Sequence, residues 1–167
     1  MVFVRDEGSV FEAPAEEVWK FIGSGNHHSD AHRHRKVHRH VLPGNAGEYS
    51  WEQDFLGRPV RFTMAWASYY PVGIAYRVLA GPFSGSQFFL YYLPRGRRTG
   101  VTVVGDFVSP TIPSDEIPAA VDRFFSVEFD QDRHAIEVGS TRPRVASRAR
   151  PQTRGRAVSS QRRRSAR

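Results

Sequence analysis

Residues 36–108 alternate apolar and polar side chains in successive short stretches. In the clearest stretch, Tyr49, Trp51 and Phe55 share one face and polar residues share the other. Side chains of a β-strand point alternately to its two faces, so this spacing predicts six strands that are buried on one side. Turn residues, chiefly Gly, Pro and Asn, separate the stretches, which favours an antiparallel meander. A seventh strand is expected over residues 2–12.

Two helical patterns flank this predicted sheet. Residues 14–22 begin with a proline and two glutamates and carry apolar residues at helical spacing. Residues 27–35 are polar and could hold a second short helix, and residues 114–137 carry a long apolar stripe. The sequence therefore predicts the α+β class, with one or two short helices after the first strand. A curved antiparallel sheet of about seven strands would wrap around a long C-terminal helix.

Residues 10–22, VFEAPAEEVWKFI, resemble the first strand and first helix of the START-like, or SRPBCC, superfamily. That superfamily includes polyketide cyclases, lipid-transfer domains and birch-pollen-allergen-like proteins. Residues 101–107, VTVVGDF, resemble its last strand before the C-terminal helix. The resemblance covers residues 1–139 and implies the helix-grip fold, with a cavity between sheet and long helix. The resemblance implies that the protein is a carrier, a cyclase, a hydratase or a sensor. The fold alone does not select among these functions.

A cavity of this kind implies an apolar or aromatic guest, lipid- or polyketide-like, so binding or transport of such a molecule is the first functional expectation. The candidate ligand-binding residues are Tyr49, Trp51, Phe62, Met64, Trp66, Tyr76, Phe89, Tyr91, Phe107 and Phe125. The strand around residues 87–93 is apolar on both faces, so Phe88 and Tyr92 could replace Phe89 and Tyr91. The alternative is that these rings only fill the core.

Two carboxylates on the predicted C-terminal helix are the candidate catalytic residues. Glu128 and Asp132 lie one turn apart, on or beside the apolar stripe. A carboxylate that faces an apolar cavity is expected to have a raised pKa, which suits general acid–base chemistry. A cyclase- or hydratase-like enzyme using either acid with Tyr49, Tyr76 or Tyr91 is the alternative function. The sequence leaves open whether the protein is an enzyme.

Two arrangements of these acids are open. If Glu128 or Asp132 faces the cavity, Tyr76 or Arg77 could pair with it from the opposite wall. If the acids lie at the helix edge, both are solvated or pair with neighbours. Those neighbours are Arg123, Gln131 and Arg133.

Six of the seven histidines fall within residues 27–40, with Asp30 among them. His28 and His32 are four residues apart and would face one side of a helix, which makes them the candidate metal ligands. The basic residues of the segment are Arg33, Arg35, Lys36 and Arg39. Because these would repel a cation, we expect no metal and no cofactor. A solvated, pH-sensitive rim at the cavity mouth is the expected role of the histidines.

The formal charge of +7 is unevenly distributed along the chain. Residues 140–167 contain ten Arg and no acid, whereas residues 1–139 carry a net charge of −3. With almost no large apolar residue, this tail is expected to be disordered, beyond a single domain over residues 1–139. A nucleic-acid-associated protein acting through the tail is the second alternative function, since Arg clusters release phosphate counterions. A solvated extension and a translated read-through are the other interpretations of the tail.

The sequence contains no cysteine, which excludes disulfides and thiolate chemistry. No apolar run approaches the roughly 20 residues that cross a bilayer, and the N-terminus lacks the apolar segment of a secretory signal. We therefore expect a cytoplasmic protein, monomeric or homodimeric, whose partner is an apolar small molecule.

Overall fold

The computed structural model of the protein describes residues 1–5, 8–24 and 27–141. In chain order its elements are β1 (Val2–Arg5), β2 (Ser9–Phe11), α1 (Ala15–Ile22), α2 (His27–Asp30), β3 (Arg35–Leu42), β4 (Ala46–Phe55), β5 (Arg58–Tyr69), β6 (Gly73–Ala80), β7 (Gln87–Arg95), β8 (Arg98–Phe107) and α3 (Ile117–Thr141). The tail predicted to be disordered spans residues 140–167. Its first two residues belong to α3, and residues 142–167 lie outside the described residues.

The strands form one antiparallel sheet in the order β1-β8-β7-β6-β5-β4-β3, with β2 also pairing with β8. From β3 to β8 every strand pairs with its successor in the chain, so the predicted meander is confirmed. The single N-terminal strand predicted over residues 2–12 is divided into β1 and β2, which pair with successive parts of β8.

The hairpin between β4 and β5 shows how local sequence sets the register. Leu56 and Gly57 form its two-residue loop, and both have positive φ, at 50° and 77°. Two positive φ values are the signature of the turn whose twist matches paired strands, and glycine adopts this conformation without strain. The register then places Tyr49, Trp51 and Phe55 on the buried side of β4, as their alternation predicts.

The long helix begins at Ile117, later than the start predicted near residue 114. Residues 114–116 instead form a turn, in which the Glu116 N–H donates to the Pro113 carbonyl at 3.0 Å. The buried stripe of α3 packs against the sheet through aromatic rings. The ring centroids of Phe124 and Phe62 are 5.4 Å apart, and those of Phe125 and Phe88 are 5.2 Å apart.

The core therefore lies between a curved sheet and α3, with α1 and α2 covering the other end of the same sheet face. This is the predicted helix-grip arrangement, and it is confirmed. Within the described residues, no helix has the length and apolar character needed to cross a membrane.

Candidate functional site

A cavity of about 410 Å³ lies beneath α1 and α2, against β3–β6. Its side-chain lining is Trp19, Ile22, His27, His28, Arg39, Val41, Leu42, Asn45, Tyr49, Trp66, Ser68, Ile74 and Tyr76. The residues from the end of β3 and the following turn are exposed, so the mouth opens there. Small-molecule pockets usually measure roughly 300–1,000 Å³, so this cavity can hold a ligand of that class.

A narrower pocket of about 50 Å³, the inner pocket, lies between the sheet and α3. Phe124, Phe125 and Phe129 of α3 fill most of the space there. This corrects the predicted position of the cavity, because the roomier hollow lies under the short helices and not against the C-terminal helix. The residues common to both spaces are Ile22, His27, His28, Tyr49 and Tyr76.

Six of the predicted ligand-binding residues line these two spaces. Trp66 lines the cavity, whereas Trp51, Met64 and Phe125 line the inner pocket. Two of the predicted tyrosines, Tyr49 and Tyr76, line both the cavity and the inner pocket. These positions are compatible with ligand contact, which stays a prediction.

Phe62 and Phe107 lie in the packed core and not in either lining. Phe62 is fully buried and stacks on Trp51, with ring centroids 5.1 Å apart. Phe107 is buried and stacks on Phe88 at 5.5 Å. Neighbouring rings cover both residues, which corrects their assignment from ligand-binding to core.

The inward face of β7 consists of Phe88, Leu90 and Tyr92, which are buried and line the inner pocket. Phe89 and Tyr91 lie on the opposite face, where Tyr91 is 37% exposed. This corrects the assignment of Phe89 and Tyr91 in favour of the alternative pair. The hydrogen-bonded register with β6 and β8 decides the inward face, and no alternation within β7 reveals it.

Glu128 and Asp132 both line the inner pocket, and histidines from α2 and the segment that follows it pair with them. The Oδ1 atom of Asp132 lies 2.7 Å from His27 Nε2 and 3.1 Å from His32 Nε2. These two nitrogens are 3.2 Å from each other. Glu128 lies 3.1 Å from His32 Nδ1 and 3.3 Å from His34 Nε2. Four histidine-to-carboxylate contacts thus join α3 to the α2 region.

Both acids face the inner pocket, as one of the two predicted arrangements has it, but histidines pair with them in place of Tyr76 or Arg77. Asp132 is only 6% exposed, so it is not a solvated edge residue. Arg77 is exposed and takes no part in the inner pocket. Of the helix neighbours, Gln131 does take part, since its Oε1 atom accepts a hydrogen bond from His32 Nδ1 at 3.1 Å.

The histidines set the ionisation of this cluster. Burial alone raises the pKa of Asp132, but hydrogen bonds and charge from His27 and His32 outweigh burial and hold that pKa well below its usual value. The raised pKa expected for this acid is therefore wrong. Burial lowers the pKa of His32, yet Asp132 and Glu128 overcome it and raise the pKa to about 9. His32 is therefore protonated at neutral pH and offsets carboxylate charge in the cluster.

Four further groups in these linings are held neutral. Burial and the neighbouring histidines lower the pKa of His28 well below its usual value. Its ring stacks on Tyr49 with centroids 4.3 Å apart, and its Nδ1 atom is buried with no hydrogen-bond partner among the described residues. Burial raises the pKa of Tyr49, Tyr76 and Tyr92, so their phenols stay protonated.

The histidine-rich segment does not form the predicted solvated rim as a whole. His27 and His32 are 7% and 5% exposed, whereas His38 and His40 are exposed on β3. The predicted ligand pair His28 and His32 does not share a helix face, because α2 ends at Asp30 and His32 follows it.

The basic residues of the same segment do not surround the buried histidines. Arg35 pairs with Asp54 at 3.0 Å, and Lys36 pairs with Glu52 at 3.0 Å, both on the exposed edge of the sheet. The Arg39 guanidinium lies 5.4 Å from the centroid of the Trp66 ring. These three basic side chains contact acids or an aromatic ring away from the buried histidines. The electrostatic repulsion that we expected them to exert on a bound cation is therefore reduced.

Trp19 and Ile22 of α1 line the cavity, although sequence patterns alone assign them no functional role. Their helical spacing predicts an apolar face, but not that this face roofs a cavity. Arg39 is a third such residue, because its position in a run of basic and histidine residues does not single it out as part of a cavity lining.

No protein-family model matches this sequence, and no curated protein matches it either. Solved structures do match. TTHA0849 from Thermus thermophilus is 15% identical and has a TM-score of 0.70, and the match covers 84% of this chain and 100% of that one. The Zhui aromatase/cyclase from Streptomyces sp. R1128 is 17% identical with a TM-score of 0.65, over 83% and 93% of the two chains.

The structure of Ara h 8.0201 is 11% identical with a TM-score of 0.66, over 82% of this chain and 98% of that one. At such low identities these matches establish architecture. The chain shares the helix-grip fold of these proteins.

Proposed function

We propose that the protein binds an apolar or aromatic small molecule, lipid- or polyketide-like, in the cavity beneath α1 and α2. The observation that supports this most is the cavity of about 410 Å³, whose wall presents aromatic faces from α1, β4, β5 and β6. Aromatic walls favour a flat or apolar guest, because each ring buries a large apolar area on contact. A protein of the same fold carries the name aromatase/cyclase, which is compatible with such a guest.

The position of Arg39 indicates which chemical group a bound guest would carry near the cavity mouth. It lies in the cavity lining beside Trp66, and no carboxylate pairs with it within the described part of the chain. A guest with an anionic group would place that group near the guanidinium and its apolar body among the rings. An aromatic sulfonate such as 1-anilinonaphthalene-8-sulfonate is therefore a suitable probe.

The test is to fill the cavity and measure binding of this probe by fluorescence. Ser68→Phe adds a ring on the cavity side of β5, and Ala67→Phe adds the same ring at the next position, on the opposite face. We expect Ser68→Phe to weaken binding by at least about tenfold, while Ala67→Phe changes it less than about twofold. Equal effects of the two substitutions, or no binding by the unaltered protein, would contradict the proposal.

A cyclase- or hydratase-like enzyme is the second candidate function. The supporting observation is that Glu128 and Asp132 line the inner pocket together with three protonated phenols, those of Tyr49, Tyr76 and Tyr92. A carboxylate can accept a proton from a guest that reaches the pocket, and the neutral phenols can donate hydrogen bonds to the oxygen on which charge then develops.

A poly-β-ketone thioester offered as substrate tests this candidate by chromatography of the products. The double substitution Glu128→Gln and Asp132→Asn is expected to abolish conversion, and Glu128→Gln alone, which leaves the contact between Asp132 and His27 in place, is expected to change affinity for the apolar probe by less than about threefold. Failure of the unaltered protein to convert the thioester would count against the enzyme and leave the binding function standing.

A further inference from the structure

Three side-chain atoms converge at one point beside the inner pocket. They are His27 Nε2, His32 Nε2 and Asp132 Oδ1, with separations of 2.7, 3.1 and 3.2 Å. A metal ion bound at about 2.1 Å to each of its ligands holds neighbouring ligand atoms about 3.0 to 3.4 Å apart, depending on geometry. The three atoms thus have nearly the spacing of ligands on one face of a coordination sphere.

Hydrogen bonding alone satisfies this triangle poorly. If both imidazoles carry a proton on Nε2, both protons point at one oxygen and the two N–H groups crowd each other at 3.2 Å. If the Nε2 atom of only one imidazole carries a proton, the other Nε2 and the Asp132 oxygen compete for that single proton. A cation between the three atoms accepts an electron pair from each of them at once.

The surroundings of His32 match those of a metal-bound imidazole. Its other ring nitrogen, Nδ1, lies 3.1 Å from Glu128 Oε2 and 3.1 Å from Gln131 Oε1. His34 approaches the same carboxylate at 3.3 Å. A metal that displaces the Nε2 proton of His32 leaves Nδ1–H donating to these oxygens, and the Nε2 lone pair then faces the site beside Asp132.

Charge and access also favour a cation. Asp132 and Glu128 bring two carboxylates to the cluster, and Arg35 and Lys36 are paired with acids elsewhere on β3 and β4. His27, His32 and Asp132 line the inner pocket, and His27 also lines the cavity, so a bound ion would be accessible. Two imidazoles and one carboxylate on one side leave further coordination positions for water or a ligand.

We propose that His27, His32 and Asp132 bind one divalent first-row transition-metal ion, with Glu128 positioning His32. This inference depends on side chains that come from α2, the loop after it and α3. It does not depend on the proposed binding of a small molecule, so either proposal can be wrong without affecting the other.

The test uses the full-length chain, stripped with EDTA, dialysed and titrated with Zn²⁺ or Co²⁺ by calorimetry. We expect about one ion per chain, and a Co²⁺ absorption spectrum that shows histidine ligands. His27→Ala and His32→Ala should each weaken Zn²⁺ binding by at least about 100-fold, and Glu128→Gln by about 10- to 100-fold. His38→Ala with His40→Ala removes two exposed histidines from the same segment and should leave the affinity unchanged.

Folding of each variant is checked by circular dichroism. A second measurement on the unaltered protein does not depend on variants: Zn²⁺ should shift the imidazole ¹⁵N signals of His27 and His32 and leave those of His38 and His40 in place. Absence of stoichiometric binding by the unaltered protein would overturn the proposal. So would an equal loss in the His38 and His40 control, or binding that survives His27→Ala but not His34→Ala, which would place the ion on Glu128, His32 and His34 instead.

Discussion

His27 Nε2 lies 2.7 Å from Asp132 Oδ1, and this contact joins α2 to α3 across 105 residues of the chain. Both side chains are almost fully buried. Since His27 also lines the cavity, the contact fixes one part of the cavity roof to the helix that fills the core. The cluster around Asp132 is therefore structural as well as a candidate for chemistry.

The first prediction concerns the stability contributed by this buried acid. Asp132→Asn keeps the shape of the side chain but removes the charge that His27 and His32 share. Removing one partner of a buried, hydrogen-bonded charge pair should lower the free energy of unfolding by about 3 kcal/mol. Urea unfolding in the presence of EDTA measures this without interference from metals.

Asp130→Asn is the matched control, two positions earlier on the same helix. Asp130 is exposed and pairs with Arg133 at 2.8 Å, and surface pairs of this kind contribute at most about 1 kcal/mol. Similar losses for the two substitutions would show that the Asp132 cluster is not as buried as described.

The second prediction tests which face of β7 is inward. Tyr92 is buried, and its ring lies 5.0 Å from that of Trp19, which connects β7 to α1. Tyr92→Ala should cost about 3 kcal/mol, because it removes a buried ring without a replacement. Tyr91→Ala, on the exposed face next in sequence, should cost less than about 1 kcal/mol. Thermal or urea unfolding distinguishes the two, and the reverse order would mean that the strand is turned over.

A third prediction concerns Gly47, where β3, β4 and β5 meet beside the cavity. A Cβ atom at this position would meet the His40 carbonyl oxygen and would lie 2.9 Å from the Trp66 ring. Because backbone cannot give way easily, Gly47→Ala should destabilise the fold by about 1 to 3 kcal/mol and displace Trp66. Gly100→Ala meets only the flexible side chain of Arg95, at 3.1 Å, and should be close to neutral. Equal unfolding midpoints for both variants would contradict the packing described around Trp66.

The fourth prediction tests the contribution of Arg39 to ligand selectivity. Arg39→Gln should weaken binding of the anionic probe 1-anilinonaphthalene-8-sulfonate by about three- to tenfold, since a charge-assisted contact is lost. Binding of the neutral probe N-phenyl-1-naphthylamine should change by less than about twofold. Arg77→Gln, an exposed arginine on β6 outside the lining, is the control. An equal loss for both probes would show that Arg39 contributes through packing alone.

The sequence predicts the sheet and α3 because their patterns are periodic. Alternation in β4 and β5 identifies Trp51, Met64 and Trp66 as inward residues, and the spacing of Glu128 and Asp132 places both acids on one helix face. These inferences need information from within a single element, which the sequence contains.

The remainder of the site depends on contacts between distant segments. The pairing of His27 with Asp132 follows from how α2 packs on α3, and no local spacing encodes it. The inward face of β7 is hidden because both of its faces are apolar. The position of the cavity depends on how completely Phe124 and Phe125 fill the space against the sheet, a matter of packed volume and not of pattern.

Fluorine NMR of the protein labelled with 5-fluorotryptophan tests the central claim, that a guest occupies the cavity beneath α1 and α2. The chain has three tryptophans: Trp19 and Trp66 line the cavity, and Trp51 is buried at the inner pocket with its indole N–H donating to Gln53 at 2.7 Å. On saturation with N-phenyl-1-naphthylamine, we predict large shifts for Trp19 and Trp66 and the smallest shift for Trp51. Saturable binding that leaves the Trp19 and Trp66 signals in place would contradict this claim.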